Sequence, residues 1–300
     1  MTVSARPPVA DPEITADLVM SLLRAQVPEA CQFRLGEPYA GKDAVVWRLG
    51  NDWAVRLPRR QLAADRQHTE LDWMPHLSQN WRFRAPVPVR VGSPARAYPW
   101  RWSIVPWVPG IAMHEVPLSL TGAAELGAAL ANLHQLAPAH APRHPRWSHS
   151  LLARSARTDD RLGTLARRTE VGPWRLDLPA AQRIYHAGAA QSPVPHRWAH
   201  LDMRAHHIMT FDGRFVGLID WGDSAAADPA VDLGQTLISL PMGAWDAFIV
   251  GYGGVDLATF ARARAVAVET AATLALSPHP YDRIAGWAGL VALGVAYRAS

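Results

Sequence analysis

Lysine is almost missing from this chain. Of 30 basic residues only Lys42 is a lysine, and against 26 acids the formal net charge is +4 in 300 residues. No segment clusters arginine with interleaved aromatics, so composition argues against a nucleic-acid partner. There is one cysteine, Cys31, which excludes a disulfide framework within the chain and favours a reducing compartment. The opening "MTVSARPPVADPEI" is polar and proline-rich, without the charged-apolar-cleavage pattern of a leader. The longest apolar runs, "ARAVAVETAATLAL" and "IAGWAGLVALGVAY", are interrupted or too short for a bilayer and read as buried helices. A cytoplasmic protein without membrane or nucleic-acid partners, monomeric or weakly dimeric, is expected.

What is present describes a globular chain: 49% hydrophobic and 19% charged residues. The length suffices for one large domain or two lobes with separate cores. "TADLVMSLLRAQV" has the helical spacing of Leu18, Leu22 and Leu23, with Thr15 as N-cap. Short β-rich runs at Ala44–Leu49 and Trp53–Leu57 flank "GND", a hairpin turn signal. An earlier strand near Gln32–Leu35, a helix over Leu62–Leu77 and strands in "APVPVRVG" and "WRWSIVPWVPG" complete a small sheet with one inserted helix. After "VPG" the chain becomes helical, beginning with 121–136, where Leu126, Leu130 and Leu133 share a face. A β-rich unit, 1–108, and a helical unit, 109–300, are therefore predicted. The 13 tryptophans are read mostly as packing residues.

The most informative stretch is "RWAHLDMRAHHIMTFDGRFVGLIDWGD", Arg197–Asp223. It reads as a polar loop, then a hairpin with "FDGR" at its turn and Phe215–Ile219 as the second strand. Pairing of the strands brings the His207 end beside Asp220, and Asp202 in the loop can lie near both. Two carboxylates so placed suit phosphoryl transfer, one accepting the proton of the attacking hydroxyl and one holding Mg²⁺. Asp202 is the candidate catalytic base; Asp220 and His207, the latter five residues after the base, are the candidate metal ligands. The bland alternatives are a strand-end cap for Asp220 and turn residues for Asp202 and His207. A metallohydrolase using the His clusters is disfavoured, because no HExxH or second HxH occurs. A non-catalytic nucleotide-binding module stays open.

The motifs "HLDMRAHHIM", "GLIDWGD" and "DPAVDLG" resemble the H-G-D-x-x-x-x-N/H, I-D and D-P-x-x-D-L pattern of the aminoglycoside phosphotransferase family. With His207 in place of asparagine, they are similar to its macrolide 2′-phosphotransferase branch, and "WAVRLPRR" and "LGAALANLH" look like that branch too. The likeness runs from about Phe33 to the C-terminus. It implies an α+β, bilobal, protein-kinase-like fold, with ATP or GTP as phosphate donor, Mg²⁺ as cofactor and a small-molecule antibiotic as acceptor, giving resistance. It also implies nucleotide contacts from Arg56, held by Glu70 and standing where kinases carry a strand-borne lysine, and from Lys42, Ala54, Pro106, Trp107 and Val108. His200 and Asp232 would support the loop; Asp228 and Pro229 would open a helix. The chain departs from the pattern at Leu201, where glycine is usual, and at Arg204–Ala205, where His-Pro is common. "GEPYAGKDA" is its only candidate phosphate flap.

Charge bears on the acceptor. Segment 151–177 holds Arg154, Arg157, Arg161, Arg167, Arg168 and Arg175 against Asp159, Asp160, Glu170 and Asp177. A polycationic aminoglycoside calls for an acidic cleft, so a bulky, mostly uncharged or acidic acceptor is expected. A macrolide 2′-hydroxyl leads; a nucleoside or another glycosylated antibiotic with a uronic-type sugar follows.

Overall fold

A computed structural model describes residues 12–41, 43–168, 173–241 and 243–298. The chain divides into two compact units: one from the residues up to Gln79 together with Ala85–Trp107, the other from Asn80–Arg84 and Val108 onward. The boundary read from sequence differs, for it gave residues 80–84 and Val108 to the first unit. Aromatic stacking and backbone pairing explain the transfer of 80–84. Trp81 stacks on Trp221 with ring centroids 4.6 Å apart and on Phe83 at 5.1 Å. Arg84 exchanges backbone bonds with Val216 and Leu218 at 3.2 and 3.0 Å. Gly217 permits that approach, since a Cβ there would stand 2.2 Å from the Arg84 carbonyl oxygen.

The first unit opens with α1, Ala16–Gln26, capped by the Thr15 hydroxyl, which accepts the Leu18 N–H at 3.2 Å. Val19, Leu22 and Leu23 form its buried face. Pro28–Gln32 is a turn of 3₁₀-helix, so the first strand starts later than the sequence suggested, as β1 at Leu35–Ala40. It is followed by β2, Ala44–Leu49, and β3, Trp53–Pro58, around a turn with Gly50 at φ 62°. The helical segment expected over 62–77 is broken into α2 (Gln61–Arg66), a single π-helical turn (Thr69–Trp73) and α3 (Met74–Leu77). Pro75 in α3 lacks the N–H that an unbroken α-helix would use. With β4 (Arg90–Gly92) and β5 (Trp102–Pro106) the antiparallel sheet is ordered β1-β2-β3-β5-β4. Trp47, Leu49, Val55, Leu57, Trp102 and Ile104 pack against α1 as the core.

The second unit contains β6 (Ile111–Ala112), α4 (Leu120–Leu133), α5 (Leu151–Arg167), β7 (Trp174–Leu176), α6 (Leu178–Ala189) and β8 (Arg197–Ala199). It continues with β9 (Ile208–Phe211), β10 (Arg214–Leu218), β11 (Ala225–Ala227), α7 (Ala230–Ser239), α8 (Trp245–Tyr252), α9 (Leu257–Ala275), α10 (Pro280–Ala292) and β12 (Ala296–Arg298). Ser119, Ser150, Asp177 and Asp256 cap α4, α5, α6 and α9 through side-chain oxygens. β9 and β10 form the expected hairpin, with Asp212 at φ 50° and Gly213 at φ 70°, the two left-handed residues that a type I′ turn needs. α7 starts one residue later than the sequence suggested. The Asp228 carboxylate accepts the Ala230 N–H at 2.9 Å, and its other oxygen takes the Arg262 Nε–H at 2.8 Å. β8 pairs with β11, flanking the loop 200–207 and the turn 219–224. Leu162, Tyr185, Ala199, Leu201, Val231 and Val268 share one core. Among the described residues no helix is long and apolar enough to cross a membrane.

Candidate active site

The loop after β8 carries Asp202, and its backbone is held from below by α7. Asp232 is fully buried, and its Oδ2 and Oδ1 accept the N–H groups of His200 and Leu201, both at 2.7 Å. One turn on, Gln235 Oε1 accepts the Met203 N–H at 2.8 Å and Nε2 donates to the Leu201 carbonyl at 2.9 Å. Spacing of three places both side chains on one helix face. His134, at the end of α4, faces Asp232 Oδ2 through Nε2 at 3.1 Å and the Tyr252 hydroxyl through Nδ1 at 2.8 Å. A carboxylate can only accept, so His134 carries its proton on Nε2 and Nδ1 accepts from Tyr252. Burial pushes the Asp232 carboxyl up, but the hydrogen bond and electrostatic pull of the His134 ring and the backbone N–H of His200 outweigh it and hold it below its usual value.

His200 is completely buried. Nε2 faces the Ile219 carbonyl at 3.0 Å and must donate, leaving Nδ1 toward the Asp202 N–H at 3.4 Å. Burial pulls its pKa down, so it is a neutral strut between the loop and the β10 exit. Leu201 takes φ 68°, the left-handed conformation that glycine adopts freely. Its side chain is 1% exposed within the core, which accounts for a leucine at this position: packing offsets the strain.

Asp202, His207 and Asp220 converge, with one ligand atom from each lying within 4.8 Å of the others. His207 Nδ1 is 2.9 Å from the Asp202 carbonyl oxygen and 3.3 Å from its carboxylate, while Nε2 is 3.5 Å from Asp220 Oδ2. Facing acceptors, Nδ1 carries a proton, and Nε2 is turned toward the Asp220 carboxylate. Hard carboxylate oxygens suit Mg²⁺, so this donor set fits a divalent ion, with His207 its softer member. Asp220 has φ 62°, and its side chain is half exposed.

In the first unit, Ala54 and Arg56 lie two apart on β3, hence on the same face of the sheet. Arg56 Nη1 is 2.7 Å from Glu70 Oε2, and Glu70 is carried by the π-helical turn, a local irregularity that recurs at functional sites. Pro106 ends β5 opposite Trp53. The Trp107 N–H donates to the Asp52 carbonyl at 2.8 Å, and its ring contacts Tyr39 at 5.4 Å and the Arg48 guanidinium at 4.7 Å. Val108 falls in the second unit and is buried. Lys42 lies outside the described residues.

Two features beside Asp202 were not assigned from sequence. Arg204 donates to both Asp202 oxygens, Nε at 2.9 Å and Nη2 at 3.3 Å, and its Nη1 is 3.7 Å from Asp282. Its sequence signal was only the departure from His-Pro. Arg204 and Asp282 also border a pocket of ≈ 240 Å³, walled by Met113, Ile238, Leu240, Leu274 and other side chains. At its rim His206 packs between His114 and Tyr281, at 4.1 and 4.4 Å between centroids. Burial, together with His114, Arg204 and His207, lowers the His206 pKa to about 4, so its ring is neutral at pH 7.

The model of the phosphotransferase enzyme family matches residues 37–266. No curated protein matches the chain in sequence. Solved structures do match in fold. The GDP complex of aminoglycoside 2′-phosphotransferase-IIIa has a TM-score of 0.68 at 17% identity, over 94% of this chain and 98% of that one. A macrolide 2′-phosphotransferase from Brachybacterium faecium, as the apoenzyme, has a TM-score of 0.58 at 20% identity over 91% and 97%. A ternary complex of a further phosphotransferase with streptomycin and ATP has a TM-score of 0.58 at 15% identity over 93% and 96%.

Proposed function

The chain belongs to the phosphotransferase enzyme family, and on that premise we propose that it moves the γ-phosphate of ATP or GTP to a hydroxyl of a sugar-bearing antibiotic, first of all a macrolide 2′-hydroxyl. The observation that carries the reading is the convergence of Asp202, His207 and Asp220. The Asp202 carboxylate orients the acceptor hydroxyl and takes its proton as the oxygen attacks phosphorus. Arg204 and His207 occupy part of that carboxylate, but its two oxygens have about four lone-pair sites, so an acceptor hydroxyl still finds one. Arg204 keeps the carboxylate aimed. Arg56, fixed by Glu70, takes the nucleotide phosphates, as a planar fork rather than the point charge of a lysine. Asp220 and His207 would hold Mg²⁺, which when bound neutralises charge on the phosphate oxygens.

The pocket beside Asp202 supports the acceptor class. It holds one cation and one carboxylate, Arg204 and Asp282, within largely apolar walls, and His206 adds no charge at pH 7. A surface without net negative charge suits a polycation poorly. The second reading, an antibiotic with an acidic sugar, is favoured by the arginines of α5.

Transfer of phosphate from ATP and from GTP onto a panel of macrolides, nucleosides and aminoglycosides tests the proposal. Asp202→Asn is expected to fold and bind nucleotide while losing about a hundredfold or more in rate. Transfer retained within about threefold would remove Asp202 from the role of base.

A further inference from the structure

Around Glu269 in the second unit, away from the loop 200–207, arginines outnumber acids. Glu269 on α9 is 1% exposed, and two arginines use up its carboxylate. Oε1 accepts from Arg146 Nε at 3.1 Å and Nη2 at 2.9 Å, and Oε2 accepts from Arg154 Nη1. Arg154 is itself buried, and both guanidinium groups lie over the Trp147 ring, at 4.0 and 4.9 Å from its centroid. Arg157 and Arg161 follow Arg154 at helical spacing on α5, so they line the same side of the helix. Neither has a carboxylate of its own among the described residues. Arg161 Nη1 is buried and makes no hydrogen bond there. Burial, and then repulsion from Arg146 and Arg157, pull the Arg161 pKa below its usual value.

Four guanidinium groups thus stand against Glu269 and the more peripheral Asp160. Arg157 is exposed and keeps its water, but Arg161 is half-buried, and its buried Nη1 loses hydration that no hydrogen bond returns. A purely structural network would close its charges in pairs, as Arg262 does with Asp228. This one leaves two arginines over.

We propose that Arg146, Arg157 and Arg161, gathered beside Glu269 and Trp147, bind an anionic group, a carboxylate or a phosphate. Glu269 orients Arg146 and leaves its Nη1 for the ligand. Arg161 supplies the buried donor and Arg157 the outer one, a forked arrangement matched to planar or tetrahedral oxyanions. The site stands on charge and geometry alone, and does not depend on the transferase reading.

Isothermal titration of the full chain with inorganic phosphate, with glucuronate and with glucose, at matched ionic strength, tests it. Phosphate or glucuronate is expected to bind the wild type, glucose not at all. Arg161→Gln is expected to weaken anion binding at least about tenfold, the loss of a charge-assisted bond. Arg157→Gln alters an exposed side chain, leaves folding intact, and is expected to weaken binding in the same direction. Tighter binding of glucuronate assigns the site to a carboxylate-bearing sugar, and tighter binding of phosphate assigns it to a phosphorylated compound. Absence of anion binding, or equal affinity in the wild type and both variants, overturns the proposal.

Discussion

Asp232→Asn tests whether the loop carrying Asp202 depends on one buried carboxylate. Asp232 accepts three hydrogen bonds, from His200 N–H, Leu201 N–H and His134 Nε2–H, with no exposed surface through which water could replace them. Asparagine is nearly the same size but offers one carbonyl oxygen. Its best orientation keeps that oxygen on the His200 and His134 side. The amide NH₂ then faces the Leu201 N–H, donor against donor. One bond to a charged acceptor, worth about 1.5–3 kcal/mol, is lost, and the orphaned donor adds about 1 kcal/mol. The expected loss is about 2.5–4 kcal/mol, a large part of a typical stability of about 5–15 kcal/mol. Urea unfolding at pH 7 measures it, with transfer rate read in parallel. The pH dependence has a definite sign. The folded-state pKa of Asp232 lies below its usual value of 3.8. Its contribution is therefore fully present above that value and is lost as pH falls through the lower folded one. Wild-type and Asp232→Asn stabilities should stay separated by a constant amount at neutral pH and converge in acid below 3.8. A difference under about 0.5 kcal/mol at pH 7, or curves still parallel at the acid end, would refute the bracing role.

Replacing His207 by asparagine supplies an oxygen ligand and is expected to keep transfer within about tenfold, whereas His207→Ala should raise the half-saturating Mg²⁺ concentration about tenfold or more; an unaltered Mg²⁺ response in the alanine variant would end the ligand assignment. Leu201→Gly relieves about 1–2 kcal/mol of left-handed strain but removes a buried leucine worth about 2–5 kcal/mol. The variant should therefore be less stable by about 1–3 kcal/mol in urea unfolding, and a gain in stability would show that strain dominates. His206 keeps its ring neutral down to about pH 4, while the unfolded chain protonates it near 6.5. It therefore withdraws stability as pH falls between those values, and His206→Gln should flatten the acid limb of urea midpoint against pH over that window. An identical limb in both proteins would place the destabilising titration elsewhere.

Features set within one short stretch are legible in the sequence. The Asp212–Gly213 turn fixes the hairpin register, because left-handed residues there are a local demand. Ala54 and Arg56 share a strand face because side chains alternate along a strand. The ion pair of Arg56 with Glu70 was implied by the family resemblance, and its carrier, a π-helical turn rather than an unbroken helix, did not show in the apolar spacing. Arg204 was visible only as an unusual residue; that it grips both oxygens of Asp202 depends on a rotamer no sequence pattern specifies.

Sequence by itself determined the elements, the strand-end placement of Asp220 and the residue types able to move a phosphoryl group, since period, turn chemistry and side-chain chemistry are properties of short segments. Tertiary structure decided which distant groups share a charge. Asp232 meets a histidine 98 residues away, Glu269 gathers Arg146 and Arg154 across 123 and 115 residues, and residues 80–84 belong to the second unit, where Trp81 stacks on Trp221. These pairings are settled by the packing of whole helices, where a buried carboxylate takes whatever donors the closed core brings within reach.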